Sequence, residues 1–337
     1  MNVLINGIGN LGTTLANLLV EYRTELGVER VILLKNNLHP WQKSGLDKLE
    51  KKGCEIFSKN VGEFPTIETI MADIHFVFDT TANGGGRANK AWYQTFSSLI
   101  GACAQGSEKG FGLSHMIDVN NEQIAGQKFV HIVSCNTHGI VSLINTFSDH
   151  QLQEIKTTDF VVARRSEDIG NHERLVSGNV VARHLDDHLG THHAIDVVDL
   201  YKTMNKSITV TSSDITTPSQ VMHGVRFNIQ FNKEINEEEI RARLTAAPFV
   251  STTVKFDSNV IFELGRRYGL QGRIYSHAIV VSNNILFEER GLKGWAFIPQ
   301  EGNTLLSTIN AFLLQTRNKN ASNIVSRISS DLIEKVW

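Results

Sequence analysis

A glycine-rich turn near the start of the chain constrains the fold more than any other feature. In INGIGNLG, Gly7, Gly9 and Gly12 follow the apolar stretch NVLIN and precede leucines at helical spacing. Glycines in this pattern permit a tight turn and let the backbone approach a pyrophosphate, which the helix N-terminus then holds. The pattern therefore predicts a strand, a dinucleotide-binding turn and a helix, with a purely structural turn as the alternative.

Strand and helix signals alternate through the first hundred residues. The apolar runs RVILLK and IHFVFDTT read as further strands, and the second leads into the glycine-rich loop ANGGGRANK. This order predicts a parallel sheet with crossover helices. After the helix that follows Cys135, the β-rich stretches DFVVARR, SITVTSSD, VRFNIQF and AIVVSNNILF predict a second domain on an antiparallel or mixed sheet. The predicted fold class is α/β.

Composition narrows the classes of function. The 33 basic and 35 acidic residues leave a net charge of -2, so no global field draws the chain to nucleic acid or to an anionic membrane. Its three cysteines form no CxxC pair, which suits a reducing compartment. The longest apolar runs are too short to span a bilayer. We therefore expect a soluble cytoplasmic protein.

The end of the second predicted strand bears on cofactor choice. An NAD site is expected to carry an acidic residue there, about twenty residues after the glycines, to bind the ribose. This chain has Lys35, Asn36 and Asn37 instead. A cation and two amides tolerate or attract a 2′-phosphate, which favours NADP over strict NAD. The alternative is that Lys35 is simply a solvated strand end.

Cys135 lies between the apolar strand FVHIV and the stretch IVSLINTF, which has helical periodicity. A free cysteine is most often a small buried hydrophobe, and that is the plain alternative. At a helix start, however, the unpaired N–H groups and the dipole favour the thiolate. Together with a nucleotide fold, a helix-starting thiol predicts aldehyde oxidation through a thioester.

Several motifs resemble glyceraldehyde-3-phosphate dehydrogenase of the archaeal-type branch. INGIGNLG, FDTTANGGGRANK, QGSEK, SCNTHGI, ARRSED, THHA and VMHG occur in that family's order over about two-thirds of the chain. The resemblance implies a Rossmann domain at 1–136 and 301–337, including a returning C-terminal helix. It implies a catalytic α+β domain with a mostly antiparallel sheet at 137–300, and a homotetramer.

The resemblance also implies roles for single residues. Cys135 matches the nucleophile, and His223 of VMHG matches the histidine that acts as base. Residues matching substrate or phosphate binding are Ser134, Asn136, Thr137, Arg164, His192 and His193. Residues matching cofactor binding, besides the three glycines, Lys35 and Asn36, are Asn10, Leu11, Thr80, Gly106, Ser107, Arg165 and Lys293.

Three places depart from the family pattern. His138 replaces a threonine close to where the substrate phosphate is expected, and NHERLVSGNVVA at 171–182 replaces a proline-rich connection that shapes the pocket. Lys293 stands where the family has a glutamine that contacts the nicotinamide amide, if Pro299 anchors the alignment. Substrate identity and cofactor geometry are therefore open.

The histidine-rich stretch ARHLDDHLGTHHA supports an alternative interpretation, a metal site. His184, His188 and His192 are spaced by four, so a continuous helix would stack them on one face near Asp187 as a zinc or nickel set. Gly190 interrupts that helix, and the prediction carried forward is a site without metal.

The hypothesis from the sequence is a phosphorylating aldehyde dehydrogenase. Cys135 attacks the aldehyde of glyceraldehyde 3-phosphate, His223 takes the hydroxyl proton, hydride passes to NADP or NAD, and phosphate cleaves the thioester to 1,3-bisphosphoglycerate. The oxyanion is held by N–H groups after Cys135 or by His223 itself. Two alternatives remain: a semialdehyde dehydrogenase or acyl-phosphate reductase acting on another carbon chain, and a nucleotide-binding regulatory protein with degraded catalysis.

Overall fold

A computed structural model describes residues 1–166, 178, 180–219 and 221–337. Most of the pocket-shaping segment 171–182 lies outside the described residues. Contacts divide the chain into two compact units, Met1–Val133 with Leu305–Ile328, and Ser134–Thr304 with Ser329–Trp337. No described helix is both long and apolar enough to cross a membrane.

The first unit is built on a seven-stranded sheet whose pairings among the described residues are all parallel. Its spatial order is β3-β2-β1-β4-β5-β7-β6, so the chain crosses over between strands as predicted. The strands are β1 Asn2–Asn6, β2 Arg30–Leu34, β3 Cys54–Phe57, β4 Phe76–Asp79, β5 Gly101–Ala104, β6 Leu113–His115 and β7 Phe129–Ile132. Nearly every strand residue is buried, as expected for a parallel sheet covered on both faces.

Helices connect these strands. They are α1 Asn10–Glu21, α2 Arg23–Leu26, α3 Pro40–Lys51, α4 Gly85–Tyr93 and α5 Asn121–Ile124. Leu15, Leu18 and Leu19 form the buried stripe of α1, at the spacing that predicted the helix. The α1–α2 stretch ends at Gly27, which has a left-handed φ of 64°.

The second unit is built on a mixed eight-stranded sheet of order β12-β13-β15-β11-β8-β10-β9, with β14 paired to β15. The β8–β10 and β12–β13 pairings are parallel and the other pairings described are antiparallel. The elements in chain order are α6 Cys135–Ser148, β8 Ile155–Arg165, β9 Val180–Val181, α7 His192–Lys202, β10 Val210–Thr217, β11 His223–Phe231, α8 Glu237–Ala246, β12 Val250–Thr253, α9 Ser258–Tyr268, β13 Ala278–Val281, β14 Leu286–Glu288 and β15 Gly291–Ile298. This confirms a second domain on a mostly antiparallel sheet.

One face of this sheet packs against α6 and α7. Residues of β11 alternate strictly between buried and half-buried, and the ring of Phe227 lies 5.3 Å from that of Phe147 on α6. Tyr201 on α7 donates a 2.6 Å hydrogen bond to Asn145 on α6. His223 has the parity of the buried β11 residues, so this packing places it on the helix-covered face.

The C-terminal residues divide between the units. Helix α10, Leu305–Gln315, packs Phe312 against Phe76 and Phe78 of β4. Helix α11, Ala321–Leu332, follows. The last nine residues, Ser329–Trp337, are assigned to the second unit, because Val336 bridges to Thr252 and Trp337 N–H donates to the Thr252 carbonyl.

Candidate active site

The glycine turn of the first unit has the geometry of a phosphate-binding loop. Gly7 has φ of +100°, and a Cβ there would lie 2.8 Å from the Thr80 main chain. A Cβ on Gly12 would lie 2.0 Å from the Gly7 carbonyl oxygen. Around Gly9, by contrast, a Cβ would meet nothing within 4 Å. Gly7 and Gly12 are therefore required by the packing, whereas Gly9 leaves its side open to a ligand.

Two helices start near this turn, and they differ in how their N-termini are satisfied. Among the described residues, no side chain caps α1, whose first residues are Asn10 and Leu11. The α4 terminus is occupied, because the buried Glu108 carboxylate accepts hydrogen bonds from Gly84 N–H and Arg87 N–H. The N-terminus of α1 is the one that fits a pyrophosphate.

The end of β2 is followed by one lysine and two asparagines. Lys35 is half-buried, and burial lowers its pKa. Asn36 accepts a 2.9 Å hydrogen bond from Lys59 N–H, and the Lys59 ammonium lies 3.7 Å above the ring of Trp92. No residue from Lys35 to Asn37 is acidic. The acidic residue that binds the ribose of NAD in this fold is therefore absent from this stretch.

Gly106 and Ser107 follow β5 as a tight turn. Both have positive φ, 82° and 59°, and Ser107 N–H donates to the Ile132 carbonyl at 3.0 Å. The hydrogen bond ties this turn to the end of β7, which leads in sequence to Cys135.

Cys135 is the first residue of α6, and Ser134 is its N-cap. The Ser134 hydroxyl accepts the Thr137 N–H at 3.2 Å, so this amide is not available to an oxyanion. Cys135 is partly exposed, whereas Asn136 and Thr137 are buried. Ser134 and Cys135 are therefore the partly exposed residues of the SCNT motif.

His223 is joined to Cys135 through a residue that sequence analysis missed. Gln300 Nε2 lies 3.5 Å from Cys135 Sγ and also contacts His223 Nε2. On the other side of the ring, His223 Nδ1 accepts a 2.9 Å hydrogen bond from the Arg165 N–H. The structure thus brings the two predicted catalytic residues to one place, with the Gln300 amide against both.

The loop that carries Gln300 is anchored on both sides. Glu301 forms ion pairs with Arg165 at 3.4 Å and with Arg273 at 2.8 Å. Asn303 Nδ2 donates to the carbonyls of Cys135 and His277, at 3.1 and 3.2 Å. Arg165, predicted to bind cofactor, is buried and forms an ion pair with Glu301.

The electrostatics of this site keep His223 neutral. Burial is the main reason that its pKa lies well below the usual 6.5, and the charges of Arg165, Arg164 and His193 lower the pKa further.

The other two cysteines of the chain, Cys54 and Cys103, differ from Cys135 because both are buried. Burial raises the pKa of Cys54 to about 11 and that of Cys103 well above its usual value.

A second polar cluster lies on the same sheet face. The Arg164 guanidinium lies 3.6 Å from Asp214 Oδ2, and His193 Nε2 lies 3.3 Å from the same oxygen. The ring of His192 lies 3.9 Å from that of His193, and burial, followed by the effect of His193, lowers the pKa of His192 to about 4. The predicted phosphate-binding residues Arg164, His192 and His193 are therefore together.

This cluster also contains three possible metal ligands, since ligand atoms of His192, His193 and Asp214 lie within 4.8 Å of one another. Arg164 and the N-terminus of α7, where both histidines lie, oppose a cation and favour an anion. The alternative stack of His184, His188 and His192, which required a continuous helix, does not form. Residues 182–191 contain no helix: 187–189 form a turn between the bridged residues Asp186 and Gly190, because Gly190 has φ of +85° and Asp186 accepts the His188 and Leu189 amides.

Two further predicted positions lie elsewhere. His138 is fully buried: its Nδ1 lies 2.9 Å from the Ser134 carbonyl and its ring packs edge-on against His277. It is four residues beyond the N-cap, on the covered side of α6, and so it does not face a substrate. Lys293 of β15 pairs with Glu288 of β14, and it lies roughly 16 Å along β15 from Ile298, the residue opposite His223.

Comparison with known proteins shows similarity to archaeal glyceraldehyde-3-phosphate dehydrogenases. The chain is 24% identical to that of Sulfurisphaera tokodaii over 85% of both chains. It is 21% identical to that of Saccharolobus islandicus over 98% of this chain and 97% of the relative, and 25% identical to that of Methanosarcina mazei over 92% and 91%. No family model matches the chain. The resemblance to the archaeal-type branch is confirmed, and the low identities of 21–25% indicate a divergent member.

Proposed function

We propose that the protein is an NAD(P)-dependent, phosphorylating aldehyde dehydrogenase that oxidises glyceraldehyde 3-phosphate to 1,3-bisphosphoglycerate. The observation that carries this proposal is the placement of a partly exposed thiol at a helix start, with Gln300 against both that thiol and the buried His223. The names of the curated relatives support the same substrate.

The first unit supports the cofactor side of the reaction. Gly7 and Gly12 form a turn that no larger residue fits, and the N-terminus of α1 offers amides to a pyrophosphate. Lys35 and Asn36 favour NADP. When bound, the nicotinamide supplies a hydride acceptor.

The second unit supports the substrate side. Thiolate addition by Cys135 to the aldehyde carbon gives a thiohemiacetal, and loss of hydride from that carbon leaves a thioester on Sγ. Inorganic phosphate then attacks the thioester carbon and releases Cys135 with an acyl phosphate. Arg164, His192 and His193 are the groups that bind phosphate oxygens, since a guanidinium fork and helix-start imidazoles suit an anion.

A semialdehyde dehydrogenase or acyl-phosphate reductase is the second candidate. His138 is buried, so it adds no charge to the Arg164 cluster for binding the phosphate of the aldehyde. A substrate with a carboxylate in place of that phosphate suits the same cluster. The homotetramer stays a prediction from the resemblance, and the cytoplasmic location stays a prediction from composition.

The test is reduction of NADP and, separately, of NAD by the purified protein with glyceraldehyde 3-phosphate, with and without inorganic phosphate. Turnover that requires phosphate and is lost in Cys135→Ser supports the proposal. Full turnover in Cys135→Ser contradicts it. Turnover only with an aldehyde that bears a carboxylate supports the second candidate.

A further inference from the structure

A buried carboxylate lies among the cations of the Arg164 cluster. Asp214 is 1% exposed, and its Oδ2 atom lies 3.6 Å from the Arg164 guanidinium and 3.3 Å from His193 Nε2. A carboxylate repels a phosphate and costs free energy to bury, so a cluster that only collects positive charge would not contain one. Asp214 therefore needs a role that the function proposed above does not give it.

The register of the sheet places Asp214 beside Arg164. In the parallel β8–β10 pair, Arg164 is opposite Thr216 and Asp214 is opposite Val162. Residues two apart on a strand share a face, so Asp214 is the diagonal neighbour of Arg164 on one face of the sheet. A side chain as long as that of arginine reaches across such a diagonal, and the guanidinium therefore meets this carboxylate.

The Asp214 carboxylate does not reach a substrate itself. Neither of its oxygens is accessible, whereas the Arg164 side chain is 39% exposed. The ion pairs described for this carboxylate are those with Arg164 and His193. Asp214 can therefore act on a bound phosphate only through these side chains or through its own charge.

The carboxylate is ionised at neutral pH. Burial alone would raise the pKa of Asp214, but the contact with His193 and the charge of Arg164 hold this pKa below its usual value of 3.8. His193, the second residue of α7, lies against the same oxygen as Arg164 and so fixes the carboxylate from the helix side. Asp214 is thus a fixed anion beside a partly exposed cation.

A fixed anion in this place can orient the guanidinium. An arginine binds two phosphate oxygens only when the planar edge of its guanidinium faces them. A partly exposed arginine samples several rotamers, and fixing one of them on binding costs entropy. Because Asp214 is buried, it holds Arg164 from the protein side and leaves the exposed side of the guanidinium to a ligand.

We propose that Asp214 is a positioning residue of the phosphate subsite, which orients the Arg164 guanidinium toward the phosphate of the aldehyde. The proposal rests on the function proposed above. It makes the preference for a phosphorylated aldehyde depend on a residue that touches no substrate.

Orientation and charge predict opposite effects when the carboxylate is removed. If Asp214 only offset the charge of Arg164, Asp214→Asn would leave a more positive cluster that binds phosphate more tightly. If Asp214 orients the guanidinium, the same variant releases Arg164 to solvent and binds phosphate more weakly. The sign of the change therefore decides between the two roles.

The first test is the binding of glycerol 3-phosphate, which carries the phosphate but has no aldehyde to react. We expect isothermal titration to show about tenfold weaker binding in Asp214→Asn than in the wild type. Asp159→Asn, at an exposed position of β8, is the matched control and should bind like the wild type. Equal or tighter binding in a folded Asp214→Asn protein overturns the proposal, and so does a wild type that does not bind.

A second variant covers the case in which Asp214→Asn does not fold, as judged by thermal unfolding. Asp214→Glu keeps the charge and moves the carboxylate by one methylene. An orienting role predicts weaker binding of glycerol 3-phosphate in this variant, whereas a role in charge alone predicts unchanged binding. Unchanged binding therefore overturns the proposal.

A double-mutant cycle asks whether Asp214 acts through Arg164. In an Arg164→Met background, Asp214→Asn should weaken glycerol 3-phosphate binding by less than about twofold further, because the side chain that it orients is gone. Additive effects of the two changes overturn the proposal, since they would mean that Asp214 acts independently of Arg164.

Kinetics separate this role from a part in the chemical step. With glyceraldehyde 3-phosphate, Asp214→Asn should raise the KM about tenfold and change kcat by less than about twofold. A lower kcat with an unchanged KM overturns the positioning role. A wild type that is inactive but binds glycerol 3-phosphate in the manner expected contradicts the proposed function and supports this inference, so the two failures are distinguishable.

Discussion

Asn303 and Cys135 are joined by a hydrogen bond that ties the nucleophile to a loop far away in sequence. Asn303 Nδ2 donates to the Cys135 carbonyl at 3.1 Å and to the His277 carbonyl at 3.2 Å, and its side chain is fully buried. The first turn of α6 is therefore held from the loop that also carries Gln300.

Replacing this amide with a group that cannot donate should loosen the site. Asn303→Leu leaves both carbonyls without that donor, and we expect a loss of about 1–3 kcal/mol in the free energy of unfolding by urea. Alkylation of Cys135 should also become less selective over Cys54 and Cys103. Asn259→Leu, at an exposed position of α9, is the matched control. Equal stability of the two variants would contradict the prediction.

The glycine turn offers a contrast within one motif. Gly12→Ala puts a Cβ 2.0 Å from the Gly7 carbonyl oxygen, so we expect this variant to lose both stability and NADP binding. Gly9→Ala meets no atom within 4 Å, so it should unfold at nearly the wild-type temperature yet bind NADP about tenfold or more weakly. Thermal unfolding and a fluorescence titration with NADPH measure the two effects. Wild-type NADPH affinity in Gly9→Ala would exclude this turn as the pyrophosphate site.

The glycine turn and the helix-starting thiol could be predicted because each depends on neighbours in sequence. A GxGxxG pattern specifies its own turn, and Cys135 follows β7 by three residues. Gln300 could not be predicted, because β15 and its register against β11 bring it to His223 from another part of the sheet. The histidine stack failed for the opposite reason: spacing by four presumes a helix, and the turn held by Asp186 and Gly190 formed instead.

Lys35 should set the preference between the two cofactors. A lysine at the end of β2 offers its charge to a 2′-phosphate, so Lys35→Met should weaken NADP binding about tenfold and leave NAD binding nearly unchanged. Lys48→Met, on the exposed face of α3, controls for loss of charge. The ratio of the two dissociation constants, measured by titration, checks the prediction. An unchanged ratio in Lys35→Met would mean that its ammonium is only solvated.

Buried neutral histidines should make the protein less stable in mild acid. Burial lowers the pKa of His115 to about 4 from 6.5, with Asn120 and Asn310 bonded to its ring. Below pH 6.5 the unfolded chain binds the proton that the folded chain excludes, so stability falls as pH drops toward 4. For His115 alone the loss in the free energy of unfolding is about 2 kcal/mol at pH 5 relative to pH 7. The free energy of unfolding by urea should therefore fall less between pH 7 and pH 5 in His115→Gln than in the wild type, by about that amount. Identical losses in the two proteins would contradict the prediction.

Arg164 should determine whether the aldehyde must be phosphorylated. Its guanidinium is partly exposed, lies 3.6 Å from Asp214 and is on the sheet face that carries His223. Arg164→Met removes the charged fork, so we expect the KM for glyceraldehyde 3-phosphate to rise about tenfold to a hundredfold, the loss of one charge-assisted interaction of roughly 1.5–3 kcal/mol. Oxidation of unphosphorylated glyceraldehyde and alkylation of Cys135 should change little, since neither depends on that phosphate. Arg290→Met, an exposed arginine of the same unit, should leave all three unchanged. If Arg164→Met impairs both aldehydes equally, the residue acts on the reacting centre and the phosphate subsite lies elsewhere.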